Sequence, residues 1–249
     1  MPELIAHRGQ NKTFPENTLE SMQQAVKCGA RYVEFDVQMS LDRVPLVCHD
    51  VTLTRTGSSH HNITQHTYAE ISRISVGESK RFNQQYQHVY LPTLEQIVNK
   101  LGEWKQVQAF VELKDESIEA HGMDVYVQEV MQVLSPVLEQ CILIADSLPS
   151  IVLAREMAKP KTNMRIGWIV HRWNKADLEK AEKYDLNCMI INHKYTKGHK
   201  YDFFADSWDW AMYETCDPAV AKNLFELGVK YVESDDICSM LQHFPELSR

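Results

Sequence analysis

The chain has no apolar run long enough to cross a membrane, no excess of positive charge, and no two cysteines spaced as a metal or redox pair. Each absence excludes a class. Without roughly twenty consecutive apolar residues no spanning helix is expected. A formal net charge of −8 argues against a nucleic-acid surface, which carries a basic patch. It leaves an anionic small-molecule substrate open, because a bound cation reverses the local field. The 6 cysteines, Cys28, Cys48, Cys141, Cys188, Cys216 and Cys238, are scattered and mostly lie in or beside apolar runs, so they read as buried reduced thiols in a reducing compartment. The first apolar run begins at Leu4 and leaves no room for a signal peptide, so the expected location is cytoplasmic. There is no glycine-rich dinucleotide fingerprint after any strand, no G-x-S-x-G elbow, and no cysteine beside a histidine pair. These gaps weaken an open nucleotide-binding sheet and give a Ser or Cys nucleophile no support.

What is present is alternation. The β-rich runs "LIAHR", "YVEFDVQM", "QAFVELK", "CILIAD", "MRIGWIV", "CMIIN", "WDWAMYE" and "KYVESD" are separated by segments of helical period. Leu19, Met22 and Val26 share one helical face, with Gly29 where the helix should end; Thr93 and Gln96 form a capping box; Asp217-Pro218 opens a helix that Gly228 closes. Eight strands with helical connections in 249 residues predict an α/β fold, a closed (β/α)₈ barrel, as one domain over 1–249. Residues 51–90 break the pattern. They are polar and rich in Ser, His, Asn and Gln, with "TYAEISRI" the only helical stretch, and are expected as an insertion over one rim. His60, His61 and His66 within it read as solvated loop residues rather than a metal tract.

Strand alternation then places the chemistry. Glu34 and Asp36 share one face of their strand while Val33, Phe35 and Val37 take the other. Glu112 and Lys114 repeat the device, and His7 and Arg8 end the first strand. Inward acids are too costly inside the packed layers, so they belong at the open C-terminal mouth. His49 joins them if "VQMSLDRVPLVCHD" is a hairpin turning symmetrically at Asp42-Arg43, which sets His49 opposite Asp36. Three carboxylates at ~4 Å cost about 4 kcal/mol per pair at an effective dielectric of ~20, so the group calls for protonation or a cation. An all-oxygen set selects Mg²⁺, Ca²⁺ or Mn²⁺. The competing arrangement is an ion-pair network of the same acids with Arg8 and Lys114. His171, His193 and His199 follow later strands, but nothing in their spacing demands a role.

Taken together, "HRG", "PENT", "EFDVQMSLDRVPLVCHD" and "VELK" resemble the glycerophosphodiester phosphodiesterase family, with "LPTLEQ", "RIGWI" and "LGVKYVESDD" extending the likeness through nearly the whole chain. The resemblance implies a TIM barrel with a small insertion and the hydrolysis of a small-molecule glycerophosphodiester to glycerol 3-phosphate and an alcohol, with a divalent cation. It puts the acid/base pair at His7 and His49, the metal ligands at Glu34, Asp36 and Glu112, and the phosphate contacts at Arg8 and Lys114. Glu16 and Asn17 fall at the rim. Tyr213 stands where many members have a tryptophan, and "INHKY" replaces a Pro-containing turn, both beside the expected leaving group. A lysophospholipase D activity would want an exposed apolar or basic membrane-facing loop, which the polar insertion does not offer. A catalytically silent phosphodiester sensor would need the cation and Arg8 but not both histidines.

Overall fold

The computed structural model describes residues 1–159, 162–172, 174–196, 203 and 207–248; His199 lies outside them. Among the described residues nine strands form one sheet: β1 (Glu3–Ala6), β2 (Tyr32–Met39), β3 (Pro45–Val47), β4 (Gln108–Leu113), β5 (Cys141–Ala145), β6 (Arg165–Val170), β7 (Cys188–Asn192), β8 (Asp209–Tyr213) and β9 (Tyr231–Ser234). Eight are parallel and run in the order β1-β9-β8-β7-β6-β5-β4-β2, and β1 pairs with β2 to close the barrel. β3 stands outside it, antiparallel to β2. The expected fold is the observed one.

Alternation builds two concentric cores. Val33, Phe35 and Val37 of β2 and Ala109, Val111 and Leu113 of β4 face the surrounding helices. Each of the Val, Leu and Phe side chains contributes on the order of 1.5–3 kcal/mol by leaving water. Ile5, Phe110, Ile142, Ile144, Ile190 and Tyr231 fill the lumen, and the next inward residues toward the mouth are polar. A third cluster, including Leu46, Leu53, Ile63, Ile71 and Val89, lies beneath residues 51–90. That region carries the short helices Tyr68–Ile71 and Ser79–Phe82, the second not expected from sequence.

Two expectations fail. The hairpin pairs Val37 with Val47 and Gln38 with Leu46, one residue off the symmetric register, so Cys48 rather than His49 lies opposite Asp36 and donates its N–H to the Asp36 carbonyl at 3.0 Å. The cause is the turn: Arg43 adopts φ +63°, Ser40 N donates to the Val44 carbonyl, and three residues rather than two make the reversal. Such a slip normally reverses a side chain's face. Here the ladder stops at Val47, and the following loop aims His49 instead.

The cysteines also depart from expectation. Cys28, just after helix Leu19–Lys27, and Cys238, in helix Ile237–His243, form a disulfide with Cα atoms 5.2 Å apart. Barrel closure brings the first and last helices together across 210 residues of sequence, a proximity no local spacing reveals. Cys48, Cys141 and Cys188 are buried free thiols, whereas Cys216 is exposed. The disulfide removes the cysteine-based ground on which a reducing compartment was expected. Among the described residues no helix is long and apolar enough to cross a membrane.

Candidate active site

The strand ends of β1, β2, β4 and β9 converge on one mouth. Gly9 lets the first of them arrive: it takes φ +83°, and a Cβ there would lie 2.6 Å from the Ser21 carbonyl carbon. The turn therefore packs directly on helix Leu19–Lys27, which Thr18 caps with Ser21. Arg8 and Asn17 are themselves left-handed, at φ +52° and +56°. Non-glycine residues in that region cost about 1–3 kcal/mol each and persist only where the surroundings hold them. The Arg8 N–H donates to Glu34 Oε2 at 3.0 Å, and Asn17 donates from Nδ2 to Asp36 Oδ2 at 2.8 Å.

Glu34, Asp36 and Glu112 come together: one carboxylate oxygen from each lies within 4.8 Å of the other two. Glu34 and Asp36 are 2 % and 0 % exposed, and Glu34 Oε1 and Asp36 Oδ1 have no hydrogen-bond partner among the described residues. Two orphaned buried oxygens in an all-oxygen group fit a hard divalent cation. Burial and the Asp36 charge drive Glu34 well above the usual carboxylate range, and the same two causes raise Glu112. Asp36 goes the other way, because Arg8 and Lys114 outweigh its burial and hold it well below that range. Arg8 Nε lies 3.1 Å from Asp36, while Lys114 Nζ donates to Glu112 at 2.7 Å and lies 3.6 Å from Asp36. The ion-pair network and the cluster of acids thus coexist.

Each histidine is backed by a carboxylate. His7 Nδ1 is 2.7 Å from Asp235 Oδ1, which also accepts from Asn11 Nδ2 at 2.8 Å, and His7 Nε2 faces Glu34 at 4.0 Å. Burial alone would lower the His7 pKa. The Asp235 bond and the Glu34 and Glu233 charges overcome it and raise the imidazole to about 10. His49 Nδ1 is 2.7 Å from Asp50 Oδ1, and Arg55 clamps Asp50 from Nε at 2.8 Å and Nη2 at 3.1 Å. With both Nδ1 atoms engaged, Nε2 is the nitrogen each ring leaves available.

Glu16 lies at the rim, accepting from Arg8 Nη1 at 3.0 Å and from Arg55 Nη2 at 2.8 Å. Its own N–H donates to Glu78 Oε1 at 2.7 Å, and Glu78 is gripped in turn by Arg81. Residues 51–90 are therefore wired into the wall of the mouth. Tyr213 lies on the far side, at the end of β8, half-buried, its phenol pushed up to about 12 by burial and the charge on Glu233. His171 pairs with Asp146 at 2.9 Å beyond β6 and β5. In the insertion the His61 and His66 rings pack edge to face at 4.6 Å, and among the described residues no metal-like group forms there.

Sequence reading missed Asp50, Arg55, Glu78, Asp235 and Glu233. The signal for Glu233 and Asp235 was present: "VESD" alternates as "VEFD" does, so Glu233 faces inward from β9 and Asp235, one residue past its end, continues the same alternation. Arg55 and Glu78 sit in irregular backbone, where no periodicity marks a partner.

The sequence matches the model of the glycerophosphoryl diester phosphodiesterase family over residues 7–155, more than half of its length. The chain belongs to that family. It is 33% identical over 96 residues to mouse glycerophosphodiester phosphodiesterase 1, covering 39% of this chain and 29% of the relative. It is 32% identical over 111 residues to a glycerophosphodiester phosphodiesterase of Caldanaerobacter subterraneus, covering 45% and 44%. The matches thus span less than half of either relative. In structure it resembles an Oleispira antarctica phosphodiesterase solved with the product sn-glycerol-3-phosphate, with a TM-score of 0.85 at 24% identity over 98% of this chain and 97% of that one. The glycerophosphodiester phosphodiesterase of Agrobacterium tumefaciens gives a TM-score of 0.75 at 21% identity over 97% and 100%. These likenesses establish the fold.

Proposed function

We propose that the chain hydrolyses glycerophosphodiesters to sn-glycerol 3-phosphate and an alcohol at this mouth. The observation that carries the reading is the pairing of two carboxylate-backed histidines with a triad of acids and two cations, Arg8 and Lys114, on one barrel rim. Membership of the family supports it. Binding alone would not require two carboxylate-backed histidines.

Arg8 and Lys114 present positive charge for the phosphate oxygens, and Glu16 and Asn17 fix the first of them and Asp36. Glu34, Asp36 and Glu112 would hold Mg²⁺, Ca²⁺ or Mn²⁺, which when bound offsets phosphate charge and acidifies an oxygen nucleophile. One histidine takes a proton at Nε2 from the glycerol hydroxyl beside the esterified carbon. That oxygen bonds to phosphorus, the bond to the alcohol breaks, and the other histidine gives its Nε2 proton to the departing oxygen. Water then opens the cyclic phosphate with the roles exchanged. Well-oriented intramolecular attack gains effective molarities of about 10⁵–10⁸ M, an advantage water lacks in the first step.

The test is release of sn-glycerol 3-phosphate from glycerophosphocholine by wild type, His7→Ala and His49→Ala. Each variant should lose about 10²–10⁴-fold in kcat. A substrate with a highly activated leaving group should rescue only the variant lacking the acid. Full activity in either histidine variant refutes the proton-transfer scheme. Absence of any turnover by wild type refutes the activity.

A further inference from the structure

Glu233 is a carboxyl group of the mouth that the proposed scheme leaves without work. It is 4 % exposed, and among the described residues its carboxyl oxygens have no hydrogen-bond or ion-pair partner. Its direction is fixed by β9: Tyr231, two residues earlier, belongs to the lumen cluster, so Glu233 also points inward. It feels His7, Arg8, Asp36 and Glu112 across the mouth, yet it is not one of the three acids whose oxygens gather within 4.8 Å. The β8–β9 ladder ends at the Met212–Val232 pair, and Tyr213, the next residue of β8, lies close enough to feel the Glu233 charge. A carboxyl so nearly buried is poorly hydrated, and a bound molecule that hydrogen-bonds to it recovers part of the lost hydration.

We propose that Glu233 is a specificity-determining residue that accepts the terminal hydroxyl of the substrate's glycerol arm, with Tyr213 lining the same subsite. This rests on the glycerophosphodiester reading and adds the group that selects glycerol. The chemistry decides among the three parts of such a substrate. The phosphate belongs to Arg8 and Lys114 and would be repelled by a fourth acid. The hydroxyl beside the ester carbon is committed to proton transfer. A quaternary ammonium head group has no N–H, so it would leave both the carboxyl lone pairs and the Tyr213 O–H without a hydrogen bond. An alcohol both donates and accepts, which suits a carboxyl beside a phenol.

Calorimetry with sn-glycerol 3-phosphate and with propane-1,2-diol 1-phosphate, which lacks only the terminal hydroxyl, tests this in the cation-loaded protein. Wild type should prefer the first by about 10–100-fold, the effect of leaving one buried polar group unpaired. Glu233→Leu should lose the preference by weakening the first ligand and leaving the second unchanged, whereas Glu233→Gln should retain part of it. Both variants should melt at or above wild type, since an unpaired buried acid is removed. Equal weakening of both ligands, or an intact preference in Glu233→Leu, overturns the proposal while the activity stands. So does a change in the relative turnover of glycerophosphocholine and glycerophosphoglycerol, which would place Glu233 against the leaving alcohol. Failure of wild type to bind either phosphate overturns the activity itself and this assignment with it.

Discussion

At the scale of single residues, the site is a set of charges held away from their ordinary states by named neighbours. Asp235 touches His7 and not the reacting atoms in the proposed scheme, so it is a positioning residue. Asp235→Asn should lower kcat by about 10²–10⁴-fold, as loss of the orienting carboxylate does in other His–Asp pairs, and should leave KM nearly unchanged. It should also shift one limb of the pH–rate profile, which a purely structural defect would not move. Glu233 gives a stability prediction of definite sign. Burial and the nearby Glu112 and Asp36 charges push it from the usual 4.5 up to about 7. The folded state therefore binds its proton more tightly than the unfolded state. The stability it contributes is fully present below about pH 4.5 and is lost as pH rises through about 7. In the metal-free protein, Glu233→Gln should match wild type in Tm near pH 4.5 and exceed it near pH 8. A constant difference across that range contradicts the assignment.

At the scale of elements, the site depends on how each strand end is joined to the next turn or helix. The β1 turn is the sharpest case. Gly9→Ala would set a methyl 2.6 Å from the Ser21 carbonyl carbon at a backbone angle side chains avoid. A loss of about 1–3 kcal/mol is expected in urea unfolding, together with a fall in kcat as the Arg8 backbone moves off Glu34. Wild-type stability in that variant would mean that the turn can relax. Strands are legible in sequence where turns are not. Period two in "YVEFDVQM" and "FVELK" places Glu34, Asp36 and Glu112 inward with no tertiary information, because one face of each strand has to be apolar. The symmetric register expected for the hairpin after β2 is off by one residue because Arg43 adopts a left-handed angle that its identity does not announce. The clamp of Arg55 on Asp50 and Glu16 is hidden because it joins irregular backbone to a turn 39 residues away.

At the scale of the whole molecule, closure of the barrel creates features that no segment holds alone. His7 and Asp235 meet only because β1 and β9 pair, 228 residues apart. The Cys28–Cys238 disulfide bridges the same seam. A cross-link closing so long a loop typically contributes about 2–4 kcal/mol. Treatment with a dithiol, or the Cys28→Ser/Cys238→Ser pair, should therefore lower Tm, and an unchanged Tm after verified reduction would show that the link adds nothing to the fold. The central claim concerns the mouth, where Glu34, Asp36 and Glu112 crowd together with two orphaned buried oxygens. The direct measurement is release of sn-glycerol 3-phosphate from glycerophosphocholine by chelator-treated protein as Mg²⁺, Ca²⁺ or Mn²⁺ is titrated back. Turnover should be abolished by chelation, return saturably with one of these ions, and fail to return at the same concentrations in Asp36→Asn. Full turnover in the chelated protein would contradict the account.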